Sequence, residues 1–598
     1  MDNPQESYAH SPQFKLWKNS LSLMRTYNLH MSADEMKEID QELAKAQAHI
    51  SFFLNDGAPI HRLPPELLIK IFYYVPASSI GRDTVVWAPN VFKIQDIVAL
   101  CSVCQRWRKI IFNAYILWSS INRLVGYPSS RLPPSVILNI KLEPEAQDRQ
   151  LLAFRNFLTS TIARTRELHI VNRSAAGVRF PLDQGLAEAP ALEVLSIVGS
   201  SVAPQFFETP IPQLRTLFLS RCVGLPTGPL PQLTQLALCS IGRVEISQVL
   251  SLLSAAPALQ DLYLAKCLQQ SNGDVVDNVA SPVPLKHLRR VFIEEEEPHL
   301  VTLLVSSMAL EPFAAIRIHY TFTTQLHLST SRFSHSLLPI TEQVSEFSFI
   351  PRAQSFRMIA TSSVSGFLLD WTSVFGLHQP LPSSWFTELF PGARPRRVSL
   401  LHTGYPGKNF PSGMLRGLPE SVETLSTSAI FLPCLAKDLA FRDETSRAPC
   451  PNLSTLRILM NRVCKKHRMR PFPLSKVAPA IVEVLNLRAQ LGHPIRKVII
   501  GFYNDRNNEG LKLHGINSVK RAVEYLEFAS YTNIPFMKLP SVCAREDGKW
   551  WPSWTYALDG GGKKYQGSPF WTPTTNELIA EEAEPNASSD SDNGPGSE

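Results

Sequence analysis

The sequence contains one cysteine pair whose spacing could bind zinc or carry out redox chemistry. Cys101 and Cys104 form a Cys-x-x-Cys motif, and thiolates at this spacing are common zinc ligands and redox centres. A structural zinc site needs a second ligand pair, and the sequence has none at zinc spacing. The nine cysteines are odd in number and scattered along the chain. We therefore predict reduced thiols and no metal site.

A glycine-rich stretch could bind phosphate. Residues 559–565, "DGGGKKY", contain the Gly-Lys pair of a nucleotide-binding loop. That loop also needs a glycine five residues before the pair and a Ser or Thr after the lysine, whereas Ala557 and Lys564 stand there. The motifs G-x-S-x-G, H-E-x-x-H and G-x-G-x-x-G are absent from the sequence. We predict that the chain is not an enzyme and needs no cofactor, and we keep an enzyme within residues 300–570 as an alternative.

Composition indicates a globular chain with several domains. The 598 residues exceed what one hydrophobic core organises, and 44% of them are hydrophobic. The 59 basic residues barely exceed the 52 acidic ones, so nucleic-acid binding stays an alternative only. No run of 18 apolar residues predicts a membrane span, and the start "MDNPQESYAH" lacks signal-peptide features. We expect a cytoplasmic or nuclear location.

The first strong helical pattern covers residues 32–56. Ser32 and Glu35 have the spacing of a capping box, which predicts the helix start. An apolar residue then recurs every three or four positions, at Met36, Ile39, Leu43, Ala46, Ile50 and Phe53. Two interpretations stay open: a helix packed on its own domain, and a short coiled-coil dimer seam.

The next helical pattern follows two prolines. Pro64 and Pro65 suit a helix start because their φ angle is fixed, and Pro76 predicts the helix end. The segment between them has one wide apolar face, formed by Leu67, Leu68, Ile71, Phe72 and Val75. A helix of about ten residues with such a face is unstable alone in water. It needs a surface that covers it.

Residues 94–112 predict that cover, as one helix with an apolar face. The residues of that face are Ile97, Leu100, Cys104, Trp107 and Ile111. Arg106, Arg108 and Lys109 lie towards its expected C-terminal end, where the helix dipole favours cations. The stretch "AYILWSSI", residues 114–121, predicts a third short helix. About sixty residues cannot bury so much apolar surface internally, and such exposed surface usually marks a protein interface.

These residues resemble an F-box. The family pattern is Leu-Pro-x-Glu, then Ile-Phe, then Val-Cys-x-x-Trp, then Leu-Trp. The matching residues are Leu63, Pro64, Glu66, Ile71, Phe72, Val103, Cys104, Trp107, Leu117 and Trp118. A short helix just before the box is similar to the large fungal group of F-box proteins. The connection over residues 76–96 is longer than the family usually has, which bears on its partner affinity.

The resemblance implies a role in protein binding. F-box domains bind a Skp-type adaptor, which joins them to a cullin ubiquitin ligase, while the rest of the chain captures a substrate protein. The residues expected to face the adaptor or support that face are Leu63, Pro64, Leu67, Ile71, Phe72, Leu100, Val103, Cys104 and Trp107. Trp107 and Trp118 have core roles as alternatives. The alternative function is a scaffold that binds partners without directing ubiquitination.

A second pattern, L-x-x-L-x-L, recurs after residue 165. Its six clearest copies begin at Leu192, Leu214, Leu233, Leu259, Leu288 and Leu453, and the first five are 22, 19, 26 and 29 residues apart. This resembles a leucine-rich repeat, whose units stack because one unit cannot bury its apolar face alone. Cys222 and Cys267 are interpreted as repeat positions rather than metal ligands. Residues 300–450 predict degenerate repeats, with a separate α+β insert as the alternative.

The remaining stretches complete the predicted organisation. Residues 518–532 predict a closing helix, and the acidic run 294–297 predicts a solvated loop at a strand end. The fold class is α + α/β, with a three-helix F-box followed by an irregular leucine-rich-repeat-like solenoid. The predicted segments are a flexible N-terminus at 1–31, an amphipathic helix at 32–56, the F-box at 60–121, the repeat region at 150–540, a Trp-rich cap over the last repeat at 541–575 and a disordered acidic tail at 576–598.

Overall fold

A computed structural model describes the chain in segments that form two compact units. The described residues are 12–26, 32–56, 58–74, 94–114, 117, 120–121, 136–142, 156, 158–172, 189–199, 211–242, 244–269, 282–295, 297–320, 337, 339–351, 355–372, 385–390, 392–401, 414–440, 448–460, 474–503, 515–531, 537, 539–544 and 554. The first unit spans residues 1–77 and 94–117, and the second spans 78–93 and 118–598. Most of the 76–96 connection and the predicted acidic tail lie outside the described residues.

The first unit is helical where it is described. Its helices are α1 (Pro12–Thr26), α2 (Ala33–Asp56), α3 (Pro65–Tyr74), α4 (Ile94–Val103) and α5 (Gln105–Asn113), with a 3₁₀ turn at Pro59–Arg62. The segment predicted as a flexible N-terminus contains helix α1. Its sequence has apolar residues at helical spacing that the prediction overlooked, at Phe14, Trp17, Leu21 and Met24.

The capping box at the start of α2 is confirmed. The Ser32 backbone N–H donates to the Glu35 carboxylate over 2.8 Å, and the Glu35 N–H donates to the Ser32 hydroxyl over 3.3 Å. Two donors at the helix start are thereby satisfied. Every seventh residue of the predicted stripe, Met36, Leu43 and Ile50, is exposed, while Ile39 and Ala46 are half-buried. Both interpretations of this helix stay open.

The predicted helix over 94–112 is two helices in the structure. Cys104 interrupts it with an extended backbone, at φ −160° and ψ 167°, and its thiol accepts a bond from the Trp107 N–H. The third helix expected at 114–121 is also wrong in its last part. Ser120–Ile121 form strand β1, which pairs in parallel with residues 137–138.

The second unit is built on one mixed sheet of 17 strands. Its strands after β1 are β2 (Val136–Leu142), β3 (Thr165–Asn172), β4 (Val194–Val198), β5 (Thr216–Ser220), β6 (Gln235–Cys239), β8 (Asp261–Ala265), β11 (Arg290–Glu295), β13 (Ala315–Tyr320), β14 (Glu346–Pro351), β15 (Ser355–Thr361), β16 (Gly366–Thr372), β17 (Arg397–Leu400), β18 (Thr424–Ser428), β19 (Thr455–Met460), β20 (Lys497–Tyr503) and β21 (Tyr525–Tyr531). Two-residue strands form separate parallel pairs, β7 (Val244–Glu245) with β9 (Leu268–Gln269), and β10 (Val283–Pro284) with β12 (Met308–Ala309).

The strands predicted from the six leucine patterns are confirmed. They are β4, β5, β6, β8, β11 and β19, and the first five lie side by side in parallel. In β5, for example, Leu217 and Leu219 are buried together with Leu214, which precedes the strand. The same positions of neighbouring strands join one continuous core. Stacking thus buries apolar faces that no single strand could bury alone.

Four successive strands are each followed directly by a residue with left-handed backbone. These residues are Gly199, Arg221, Ser240 and Lys266, with φ between 48° and 75°. The N–H of each donates to a carbonyl of the next strand, as Lys266 N does to Glu294 O over 2.8 Å. This turn could not be predicted from residue type, because three of the four residues are not glycine.

Residues 346–372 depart from the parallel order. β14, β15 and β16 form an antiparallel meander. β16 pairs in parallel with β13, and β14 pairs in parallel with β17, so the meander lies in the sheet in reversed order. The region predicted as degenerate repeats therefore includes an antiparallel insertion within the same sheet.

Helices of the second unit contribute to the leucine core. They are α6 (Ile246–Ser254), α7 (Pro298–Ser306), α8 (Trp385–Leu389), α9 (Leu432–Ala440), α10 (Leu474–Gln490) and α11 (Ile516–Ala522). The short α12 (Ser541–Ala544) contributes no residue to this core. The closing helix predicted over 518–532 is wrong beyond Ala522. Tyr525–Tyr531 form an edge strand, because alternating side chains such as Leu526 and Phe528 suit strand pairing. No described helix is long and apolar enough to cross a membrane.

Candidate functional site

In the first unit, Leu63 and Pro64 join the 3₁₀ turn to α3 and are called the Leu-Pro segment below. Pro65 begins the helix, where its missing N–H loses no bond. The carbonyl of Pro64 accepts bonds from the N–H groups of Leu67 and Leu68, each over 3.1 Å. Glu66 lies in the first turn, where its negative charge favours the helix dipole.

Helix α3 divides its apolar residues between two environments. Leu68 and Phe72 are buried, whereas Leu67 is 44% exposed and Ile71 is 37% exposed. Each pair is four residues apart, so each pair shares one helix face. One face therefore packs within the unit, and the other presents two large aliphatic side chains to solvent.

Helix α4 shows the same division. Ile97, Leu100 and Cys101 are buried, while Val98 is 51% exposed and Val103 is 47% exposed. Single exposed aliphatic residues are ordinary on a protein surface, but several on the short helices of one small unit favour an interface. The exposed residues Leu67, Ile71, Val98 and Val103 are called the apolar surface below.

The start of α5 packs against the buried face of α3. Trp107 packs on Phe72 with ring centroids 4.6 Å apart and on His61 at 6.2 Å. Cys104 lies 3.7 Å from His61 through its sulfur, and it caps the helix through the Trp107 N–H. Among the described residues, no group of three His, Cys, Asp or Glu side chains could hold a metal ion.

Two arginines perform roles that the sequence reasoning missed. Arg106 donates to the carbonyls of His61 and Leu63, which fixes the Leu-Pro segment against α5. Arg108 donates to the Cys101 carbonyl over 3.0 Å at the end of α4. The helix break places both arginines in the first half of α5, so the prediction that they lie near a helix C-terminal end is wrong. Sequence spacing carried no signal for bonds that cross the break.

The nine predicted site residues separate by burial. Pro64, Leu67, Ile71 and Val103 are exposed, Leu63, Cys104 and Trp107 are half-buried, and Phe72 and Leu100 are buried. The buried pair can act only by supporting the exposed residues. The structure therefore brings a surface set and a support set together in one helical unit.

A second candidate surface lies on the sheet face opposite the leucine core, and is called the strap face below. Register aligns its central row as Phe218, Ala237, Tyr263, Phe292 and Arg317. The rings of Tyr263 and Phe292 stack in parallel 4.5 Å apart, and the Arg317 guanidinium lies 5.2 Å from the Phe292 ring centroid. The row therefore contains the aromatic side chains of Phe218, Tyr263 and Phe292, of which the last two stack across adjacent strands, and it is called the aromatic ladder below.

Polar side chains flank this ladder and bond to each other. Thr216 donates to Gln235 over 3.1 Å, Gln235 donates to Asp261 over 3.3 Å, and Arg290 donates to both oxygens of Asp261. The polar side chains on this flank therefore form hydrogen bonds with one another.

A buried acid lies on the other flank. Asp370 accepts bonds from Arg357 and from Arg317, the latter over 3.3 Å. Burial alone would raise the pKa of Asp370, but the two guanidinium groups outweigh it and hold that pKa below its usual range.

The first two residues of the acidic run are buried, which corrects the prediction of a solvated loop for them, whereas Glu297 is exposed. Glu294 and Glu295 end strand β11 and are each only 4% exposed. The Glu295 carboxylate accepts bonds from the N–H groups of Cys267 and Leu268, at 2.8 and 3.2 Å. Burial raises the pKa of Glu295 to about 7.

A C-terminal segment covers the strap face. Its described residues are Met537, 539–544 and Trp554, which together are called the strap. Met537, Cys543 and Trp554 are buried in one cluster with the aromatic ladder and with Ile359 and Leu368. The Trp-rich cap was predicted over the last repeat, but these residues cluster with side chains of strands β5 to β16 instead. Burial of the large Trp554 side chain among these apolar residues removes its area from water.

Comparison with known families identifies one domain. Residues 60–124 match the family model described as F-box-like. The matched range contains the Leu-Pro segment, helices α3 to α5 and the apolar surface. No curated protein matches the chain.

Proposed function

We propose that the chain is the substrate-recognition subunit of a Skp–cullin–F-box ubiquitin ligase. The F-box-like match over residues 60–124 carries the proposal, because F-box-like domains support binding to a Skp-type adaptor. The proposed adaptor is a separate protein, and it joins the chain to a cullin. The proposed role is not enzymatic.

The apolar surface is the proposed adaptor contact. Leu67 and Ile71 are four residues apart on the exposed face of α3, and Val103 is exposed at the end of α4. A partner that covers these side chains removes their apolar area from water. Each side chain that becomes fully buried stabilises the complex by about 1.5–3 kcal/mol. Large exposed aliphatic residues on short helices gain most from such a partner.

The buried residues of the unit hold this surface in place. Phe72, on the buried face of α3, packs against Trp107 of α5. Arg106 donates hydrogen bonds to the carbonyls of His61 and Leu63, which hold the Leu-Pro segment against α5. A surface that is already ordered loses little conformational entropy on binding. We assign Phe72, Leu100, Cys104 and Trp107 this supporting role.

The second unit is the proposed substrate-binding region. Its leucine pattern and its stacked parallel strands support the interpretation as irregular leucine-rich repeats. The proposed mechanism is positioning. Substrate lysines held near an activated ubiquitin carrier react at a raised effective concentration.

The first test measures capture of purified Skp-type adaptor by the full-length chain. Leu67→Asp/Ile71→Asp places two charges on the apolar surface, and we expect adaptor affinity to fall at least 100-fold. Val364→Asp is the matched control, because Val364 is 47% exposed in the second unit. It should bind like the wild type. Equal binding by the wild type and the double variant, both folded by circular dichroism, would reject the adaptor surface.

The scaffold alternative makes a different prediction in cells. Proteins captured by a ubiquitin-ligase subunit should rise in abundance when Leu67→Asp/Ile71→Asp replaces the wild-type chain. Proteins captured by a scaffold should keep their abundance. Quantitative proteomics of captured proteins, with and without proteasome inhibition, separates the two functions.

A further inference from the structure

We infer that the strap face is a binding site for an extended polypeptide segment with a large aromatic side chain, and that the strap occupies it as a displaceable intramolecular ligand. The inference rests on the proposed function, because it identifies where and how a substrate segment binds. A substrate must then displace the strap before it reaches the aromatic ladder.

The strap fits a pocket that a glycine creates. Trp554 is 1% exposed and Cys543 is fully buried. A Cβ atom added at Gly366 would lie 2.7 Å from the Cys543 sulfur and 2.7 Å from Cζ3 of Trp554. The missing side chain of Gly366 therefore leaves the space that both strap residues fill. This is the steric fit expected of a ligand in its pocket.

The sheet has its own core without the strap. The leucine core on one side of the sheet contains no strap residue, and the strap residues belong to a separate cluster on the other side. Removing the strap would uncover the strap face but would leave the leucine core filled. The strap is therefore an addition to a sheet that is already packed.

Side chains rather than strand pairing hold the strap. None of its described residues pairs with a strand of the sheet, and its only described helix is the four-residue α12. Its fully buried anchors are Cys543 and Trp554, with Met537 8% exposed. Leu539 and Val542 also pack against the cluster. Because these described residues contact the face through side chains, they can leave it without breaking a backbone ladder.

The chemistry of the face indicates the kind of partner. Its flanking polar groups already bond to each other, from Thr216 to Arg290 on one side and around Asp370 on the other. Such groups offer little charge to an incoming ligand. Recognition therefore depends on the aromatic ladder and the Gly366 pocket, which select a bulky aromatic side chain.

The experiment measures alkylation of Cys543 by iodoacetamide in the full-length chain, read by peptide mapping. Burial of the thiol raises its pKa far above the usual range, so it reacts only when the strap leaves the face. Gly366→Ala and Trp554→Ala should each increase the Cys543 labelling rate at least tenfold. Val364→Ala, an exposed position in the turn before β16, is the matched control and should label like the wild type.

Cys450 supplies the internal reference. It is buried in the leucine core, 2% exposed, and its labelling rate should stay unchanged in all variants. Faster labelling of Cys450 together with Cys543 would mean that the strap is part of the global fold, and would overturn the inference. Unchanged labelling of Cys543 in both strap variants would overturn it as well.

A second measurement tests binding itself. A synthetic peptide of residues 537–554 should bind the full-length Trp554→Ala chain, whose own strap has lost an anchor, at least tenfold more tightly than it binds the full-length wild-type chain. The same peptide carrying Trp554→Ala should lose that affinity, as should a full-length chain that carries both Trp554→Ala and Gly366→Ala. Equal binding of the peptide to the Trp554→Ala and wild-type chains, or no binding to either, would reject the site. Neither measurement involves the adaptor, so failure here leaves the proposed adaptor function untouched, and the reverse also holds.

Discussion

At the residue scale, the second unit buries two carboxyl groups, those of Glu295 and Asp370, whose pKa values shift in opposite directions. The Glu295 carboxylate accepts two backbone N–H bonds but stands in a buried environment. Burial dominates and raises its pKa from the usual 4.5 to about 7. The carboxyl group thus titrates in the range where cells work.

This shift predicts a pH-dependent stability. The folded chain keeps the Glu295 proton up to about pH 7, whereas the unfolded chain loses it near pH 4.5. Protonated Glu295 makes its full contribution to the free energy of unfolding below pH 4.5. That contribution is lost as the pH rises through 7, which lowers the free energy of unfolding by about 3 kcal/mol. Glu295→Gln should remove this loss, since the amide oxygen still accepts the two N–H bonds. Chemical unfolding at pH 5.5 and 8 measures it, and an equal pH dependence in both proteins would contradict the prediction.

Asp370 gives the opposite case of a buried charge with partners. Asp370→Asn leaves Arg357 and Arg317 buried without their counter-charge, so we expect a loss of about 3–5 kcal/mol in unfolding free energy. Arg397→Ala breaks the exposed pair with Glu346, at 3.2 Å, and should cost less than about 1 kcal/mol. Urea unfolding of the two variants checks the contrast. Similar losses in both would show that burial does not set the cost.

At the element scale, repeated turns keep successive strands in register. Gly199, Arg221, Ser240 and Lys266 each take a left-handed backbone just after a strand and donate to the next strand. A side chain in this conformation costs about 1–2 kcal/mol relative to glycine. Three of these turns therefore carry strain that the neighbouring strand pairing offsets.

Exchange of residues at these turns gives a paired prediction. Lys266→Gly should stabilise the second unit by up to about 1 kcal/mol, and Gly199→Ala should destabilise it by about 1–2 kcal/mol. Both positions follow a strand of the same ladder, so each serves as the other's control. Thermal unfolding measures the two shifts. Shifts of the same sign would mean that the turn conformation is not what these residues determine.

At the scale of the whole molecule, two compact units divide the proposed work. The helical unit carries the apolar surface, and the sheet unit carries the strap face. Separate cores allow each unit to change stability without the other. The proposed functions of the two surfaces should then be separable by mutation.

The division predicts independent responses. Asp370→Asn should leave adaptor affinity within about twofold of the wild type, because Asp370 and the apolar surface belong to different compact units. Leu67→Asp/Ile71→Asp should likewise leave the Cys543 labelling rate unchanged. Calorimetric titration of adaptor and alkylation kinetics, each performed on both variants below their unfolding temperatures, test this. A change in either cross-measurement would reveal coupling between the units.

The sequence by itself determined the locally encoded features. Capping residues, prolines and apolar spacing predicted α2 and α3, and the leucine pattern predicted six strands, because these signals lie within a few residues of each other. The F-box-like range 60–124 also overlaps the residues that carried the resemblance. Even so, Cys104 broke a periodic helix, because an extended residue there lets Trp107 pack on Phe72.

Only the tertiary structure decided what depends on distant neighbours. The reversed meander of β14 to β16 follows from which strand edges pair, and spacing along the chain does not specify that choice. The burial of Glu295 depends on backbone donors 27 and 28 residues away. The strap depends on a pocket at Gly366, which is formed by residues nearly two hundred positions earlier than Trp554. Such contacts exist only once the chain has folded, which is why periodicity could indicate an apolar segment but not the face that it covers.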